Sequence, residues 1–256
     1  GGPRRIVFWA RLQIARQQII ESVGALPGVT LDVTSDLAGT LAALPGATGL
    51  LLVHGPQDEA RQILAALAAP GATVRWMHFI SAGREGYEEL GWPPGVTVTY
   101  AAGAVAPAVA EHAMALLLAI GRRVPDLVTT IHPRRAFDRT LVAPKARSLE
   151  GACLVLVGQG HISREVAHRA KAFGMQVLAV ARTPRPHADV DEALPLAQLH
   201  QALARADAVV VAIAATPETT HLLSDAEFAA CKRGALFVNV ARGAIVDQAA
   251  LQRALT

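Results

Sequence analysis

Between residues 154 and 174 the chain reads LVLVGQGHISREVAHRAKAFG, an apolar run interrupted by two glycines and continued with the period of a helix. Gly158 permits a tight turn after a strand, and Gly160 permits the backbone to come close to a ligand. The helix that starts near His161 and Ile162 turns its positive end toward whatever sits there. Together they form a seat for a diphosphate, the strand–turn–helix of dinucleotide-binding proteins. The third position of that pattern, normally Gly or Ala so that the helix can pack on the strand, is Ser163. An ordinary strand-to-helix turn is the plain alternative, and the flanking strand and helix weigh against it.

A bound dinucleotide also needs a partner for its adenosine ribose, commonly a carboxylate about 20 residues past the glycines. The next strand instead ends in Ala181 and Arg182, followed by Thr183, Pro184 and Arg185, and the first acid is Asp189. A guanidinium pairs bidentately with phosphate, and no carboxylate stands there to repel it. Arg182, Thr183 and Arg185 therefore predict NADP in preference to NAD. Arg182 stacked on adenine, or left in solvent, is the other reading. A further arginine, Arg242, follows the apolar run ALFVNVA. At the carboxyl end of a parallel strand it would face the crevice where ligands bind in such sheets, although an arginine can also cap the carbonyls of a neighbouring helix.

These residues depend on strands that end at one edge. Short apolar runs at 5–10, 29–34, 49–53, 74–80 and 96–101 alternate with segments of helical period, and the pattern restarts at 152–158, 176–181, 208–214 and 235–241. Strands alternating with helices pair in parallel, because each crossover returns the chain to the same edge. GWPPG at 91–95 closes the first set, and a long helix with Pro107 in its first turn opens the second. This predicts an α/β protein of two domains, 1–101 and 102–256. Helices are expected near 195–205 and 224–231, and an arginine-rich connection at 133–148. Asp247 stands where a helix N-cap belongs.

Bulk composition narrows the partners. With 52% hydrophobic residues among 256, the chain can bury a large core. Its strongly apolar stretch Ala113–Ile120 is far shorter than the roughly 20 residues of a membrane helix. No charged segment precedes an apolar leader, the opening Gly-Gly reads as a cloning remnant, and the expected location is cytoplasmic. Cys153 and Cys231 have no motif spacing and are expected to be free thiols, with no metal site. Lys and Arg number 24 against 21 Asp and Glu, scattered without interleaved aromatics, which argues against nucleic acid and suits a small anionic ligand.

The segments VGQGHISREVAHRAKAFGMQVLAV, ATPETTHLLS and CKRGALFVNVARGAIVDQAALQRAL resemble the D-2-hydroxyacid dehydrogenases, a family that includes glyoxylate and hydroxypyruvate reductases. The resemblance implies a flavodoxin-like substrate domain and an NAD(P)-binding Rossmann domain incomplete at its C-terminus. It also implies an active site in the cleft between the domains, and hydride exchange with C2 of a small 2-oxo or D-2-hydroxy acid. Arg242 matches the arginine that binds the substrate carboxylate and polarises the C2 oxygen. Val240 and Ala241 would flank the nicotinamide, as would Ala214, Thr216 and Pro217, with Ala214 replacing the usual proline. ISAGREG resembles the loop whose amides hold the substrate carboxylate, which points to Ala82 and Gly83 with Ser81 beside them. His54 would lie near the same cleft, or be a plain loop histidine.

The family's proton-donating histidine and its carboxylate partner follow the NVARG strand and its helix, past Thr256. Without such a pair, hydride transfer should slow by about 10²- to 10⁴-fold. The chain is therefore expected to be a piece of a longer protein, and impaired as it stands. His78 alternates within an apolar strand and is expected to be a satisfied core histidine. A homodimer built around residues 104–148 is expected. A cofactor-sensing scaffold that recruits protein partners is the alternative function.

Overall fold

The computed structural model describes residues 2–11, 16–81, 83–84, 86–131 and 146–256. Ala82, most of the arginine-rich connection expected at 133–148, and with it part of the expected dimer region, lie outside the described residues. The chain divides into two compact units, Gly1–Val105 and Ala106–Thr256.

In the first unit, β1 (Arg4–Trp9), β2 (Val29–Thr34), β3 (Gly49–Leu52), β4 (Trp76–Phe79) and β5 (Thr97–Tyr100) form one parallel sheet in the order β2-β1-β3-β4-β5. Helices α1 (Arg16–Gly24), α2 (Leu37–Ala43) and α3 (Gln57–Ala68) make the crossovers. β3 is buried along its whole length, as an unbroken apolar run requires, whereas the edge strand β2 is not. This is the flavodoxin-like order, and the strand order reverses between β1 and β3.

The second unit holds β6 (Cys153–Val157), β7 (Gln176–Ala181), β8 (Glu192–Pro195), β9 (Ala208–Val211) and β10 (Leu236–Asn239), all parallel, in the order β10-β9-β6-β7-β8. Counted from β6, that is the 3-2-1-4-5 order of nucleotide-binding sheets, with its reversal between β6 and β9. Side chains alternate between faces with period two. Leu154 and Leu156 pack toward α4 (Ala106–Gly121) and α6 (His161–Ala172). Cys153, Val155 and Val157 pack on the opposite face with α7 (Leu199–Leu203) and with Phe228 of α8 (Asp225–Ala230). A single turn, α5 (Val124–Asp126), follows α4, and α9 (Gln248–Leu255) ends the chain.

Two elements depart from the sequence reading. β8, with the weak strand sequence EALP, is made by its pairing with β7. Asp191 fastens its start, accepting the Val177 amide at 2.7 Å and the Lys171 ammonium at 2.9 Å. The helix expected near 195–205 starts later, because Pro195 still belongs to β8 and a 3-10 turn at Leu196–Gln198 precedes α7. Among the described residues no helix is long and apolar enough to cross a membrane.

Candidate functional site

The two glycines of the 158–160 turn answer different requirements. Gly158 has φ +114°, and a Cβ there would lie 2.6 Å from the carbonyl oxygen of Ala212 at the end of β9. Its place is set by the close approach of two strand ends at the reversal of the sheet. Gly160 is the N-cap of α6 at φ −84°, and a Cβ there would meet nothing within 4 Å. Its bare backbone faces open space, the fit a diphosphate needs beside the first unpaired amides of a helix. His161 is exposed at the helix start, whereas Ile162 turns inward onto the α4 side of the core. Ser163 is 1% exposed and its hydroxyl has no partner, so the position tolerates only a small side chain against the sheet.

A cavity of about 300 Å³ opens at this turn. It is lined by Gly158–Gly160, by Arg164 from α6, by Ala181, Arg182, Thr183 and Arg185, and by Ala212–Ala214. Three guanidinium groups and no carboxylate line it. Arg182, Thr183 and Arg185, expected around the ribose phosphate, line this cavity together with Ala214, which is expected beside the nicotinamide; Gln159, Arg164 and Ile213 also line it and are not singled out by the sequence. The signal for Arg164 was its helical spacing, four residues after Gly160. A larger cavity, about 640 Å³, lies at the other end of α6, beside Arg122, Arg147, Phe173 and Gly174.

Past Ala214 the chain enters a 3-10 turn, Pro217–Thr219, held by the buried hydroxyl of Thr219, which donates to the Ala214 carbonyl and accepts the Thr216 amide, both at 2.8 Å. Glu218 of this turn is fully exposed. Hydrogen bonds from Thr216 and its own amide, and then the charge of Arg182, hold its carboxyl below the usual range.

Arg242 leaves β10 through a short, stapled turn. Asn239 Oδ1 accepts the Ala241 amide at 2.9 Å and Nδ2 donates to the Arg242 carbonyl at 3.0 Å. The Arg242 side chain is exposed, and its Nη1 donates to the Ala241 carbonyl at 3.2 Å. Val240 leans on the α4 and α6 side of the sheet and Ala241 on the other, so the strand end is gripped from both faces. Asp247 caps α9, accepting the amides of Ala249 and Ala250 at 2.9 and 3.1 Å.

In the first unit, His54 follows β3 and Ser81 follows β4. His54 Nδ1 and Ser81 Oγ are 3.4 Å apart, and the Ser81 hydroxyl donates to the Gly83 carbonyl at 2.8 Å. The fold thus brings His54, Ser81 and Gly83 together at the carboxyl ends of adjacent strands. Nearby, Arg11 grips Glu59 through two hydrogen bonds, at 2.5 and 3.1 Å. His78 is taken up by Thr99 at 2.8 Å, and burial pushes its pKa down. Cys153 and Cys231 are free thiols.

A nucleotide-binding sheet with an arginine-lined cavity at its reversal defines a dinucleotide-dependent class of protein. A family model described as D-isomer specific 2-hydroxyacid dehydrogenase, NAD binding domain, matches residues 114–256, and the chain belongs to that family. Among relatives, the glyoxylate reductase of Thermococcus gammatolerans is 33% identical over 165 residues, 63% of this chain and 49% of that protein. The glyoxylate reductase/hydroxypyruvate reductase of Mus musculus is 33% identical over 195 residues, 74% of this chain and 58% of that protein. This chain therefore spans roughly half the length of these relatives. The solved structure of a D-isomer specific 2-hydroxyacid dehydrogenase family protein from Aeromonas salmonicida matches 99% of this chain and 78% of its own, with a TM-score of 0.81 at 26% identity.

Proposed function

We propose that the protein reduces a small 2-oxo acid to its D-2-hydroxy acid and prefers NADP(H) to NAD(H). The carrying observation is the cavity at the glycine turn, with Arg164, Arg182 and Arg185 around it and no acid in its lining. The amides of the turn and the start of α6 would hold the diphosphate, and Arg182, Thr183 and Arg185 the ribose phosphate. Ala214, Thr216, Pro217, Val240 and Ala241 would border the nicotinamide. That cofactor, when bound, supplies the hydride delivered to C2.

Arg242 is the group assigned to the ketone oxygen and carboxylate of the substrate. Its fork donates two parallel hydrogen bonds, and its charge stabilises the negative oxygen that develops as the carbonyl is reduced. Ser81, Ala82, Gly83 and His54 are the first unit's candidates for the rest of the substrate. Glyoxylate and hydroxypyruvate are the favoured substrates, because relatives about one-third identical carry those names.

Titration of the protein with NADPH and NADH, followed by turnover of glyoxylate, hydroxypyruvate and pyruvate by a full-length chain, tests this reading. Tighter binding of NADPH and reduction of one of these acids are expected. Equal or stronger binding of NADH would remove the ribose-phosphate assignment, and no turnover of any 2-oxo acid would remove the activity.

A further inference from the structure

Gln159 stands between the two glycines, where only the backbone is needed for a diphosphate. Its side chain nevertheless has a defined place. Oε1 accepts the backbone amide of Arg185 at 2.8 Å, and Nε2 donates to the carbonyl of the same residue. A carboxamide carries an acceptor and donors in one plane, so it pairs with the N–H and C=O of one residue as a neighbouring strand would. The bracket spans 26 residues of sequence and joins the turn after β6 to the loop after β7.

The loop's own sequence makes this bracket matter. Arg185 lies between Pro184 and Pro186. Proline has no N–H, so across 184–186 the amide of Arg185 is the sole backbone donor by which the loop can be fastened. The proline rings also fix φ on either side, so holding Arg185 sets the direction of the chain that carries Arg182, Thr183 and Arg185. All three of those residues, with Gln159, line the same cavity. The Arg182 and Arg185 side chains are exposed, and long exposed side chains lose rotamer freedom when they bind. A backbone held in advance lowers the ordering that binding requires.

We propose that Gln159 is a positioning residue for cofactor choice. Its carboxamide locks the Arg182–Arg185 loop against the glycine turn, so that the guanidinium groups meet a ribose 2′-phosphate while the turn holds the diphosphate. The proposal rests on the reading that this cavity receives NADP. It predicts an effect that depends on the 2′-phosphate, which a general loosening of the turn would not produce.

The test uses Gln159→Met, which keeps the length of the side chain and removes both hydrogen bonds, with Gln159→Ala as a second variant and Arg182→Ala as reference. Dissociation constants for NADPH, NADH, 2′,5′-ADP and 5′-AMP are measured by titration calorimetry, and exchange of the Arg185 amide by hydrogen–deuterium exchange. Both Gln159 variants should bind NADPH and 2′,5′-ADP about tenfold more weakly, the worth of one or two hydrogen bonds, and NADH and 5′-AMP within about twofold of the parent. The Arg185 amide should exchange faster in both. If the parent prefers NADPH and Arg182→Ala abolishes that preference while both Gln159 variants keep it, the positioning role is overturned and the cavity reading stands. Equal weakening toward NADH and NADPH also overturns it, by assigning Gln159 to the diphosphate. A parent without preference for NADPH overturns the cavity reading and this proposal together.

Discussion

The carboxamide of Asn239 closes on the backbone that carries Arg242, accepting from the Ala241 amide at 2.9 Å and donating to the Arg242 carbonyl at 3.0 Å. The chain has left the sheet by this point, and these two bonds replace the ladder in fixing its direction. Asn239→Ala should therefore lower kcat/KM for glyoxylate by about tenfold, the loss of two modest hydrogen bonds acting on one charged group. Arg242→Gln should lower it by about 10²- to 10³-fold, the scale of removing one donor to a developing oxyanion. Steady-state kinetics of a full-length chain would show both losses, with NADPH affinity unchanged within about twofold. A loss of NADPH affinity equal to the loss of turnover would move Asn239 from the substrate side to the cofactor side.

The paired glycines should separate folding from binding. Gly158→Ala places a methyl 2.6 Å from the Ala212 carbonyl at φ +114°, and should destabilise the second unit by about 1 to 3 kcal/mol. Gly160→Ala meets nothing within 4 Å and should leave the thermal midpoint nearly unchanged while weakening both nucleotides. Thermal unfolding and calorimetric titration of the two variants, run side by side, would check this. Equal melting of both would contradict the division of labour.

The charge of Arg182 is the last of the influences that hold the exposed Glu218 carboxyl below its usual range, after the hydrogen bonds from Thr216 and from its own amide. A 2′-phosphate arriving at Arg182 meets the Glu218 charge as a competitor. Glu218→Gln should tighten NADPH by about two- to fivefold at low salt and leave NADH unaffected, with the gain fading as ionic strength rises. Binding isotherms at low and high salt decide the matter, and an identical gain for NADH would contradict it.

Glu227 gives the fold an acid-sensitive joint. Its carboxylate accepts from His200 of α7 at 2.8 Å, and from the backbone amide and hydroxyl of Ser224 at the start of α8 at 3.0 and 2.8 Å. Burial acts to raise its pKa, but the bonds from His200 and Ser224 outweigh it and hold the carboxyl below the usual range. A carboxyl depressed in the folded state contributes its full stabilisation above the unfolded value of about 4.3, and loses it as pH falls through the folded value. Glu227→Gln should thus cost about 1 kcal/mol at pH 7 and less at pH 3, as the folded-state carboxyl takes up its proton. Urea unfolding at the two pH values would reveal the convergence, and a constant difference would refute it.

Much of this architecture was open to inspection in the residues alone. The unbroken apolar run of β6 and its glycines announce a buried parallel strand feeding a helix, and Arg182 with Arg185 announce the basic loop after β7. β8 stayed hidden because Glu192–Pro195 has no strand character of its own and becomes a strand through β7 and Asp191. Gln159 and Asn239 stayed hidden for a related reason. Each holds a backbone segment by side-chain hydrogen bonds, and no periodicity reports which carbonyl a carboxamide will find.

The gap between Gly158 and Ala212 also implies an asymmetry in how this chain can drift. A lineage that stopped using nucleotides would still have to keep glycine at 158, because the strands could not close around anything larger. Position 160 would be free to change. A randomised library of the turn, sorted once for soluble expression and once for NADPH capture, should therefore retain the first glycine in both pools and the second only in the captured one.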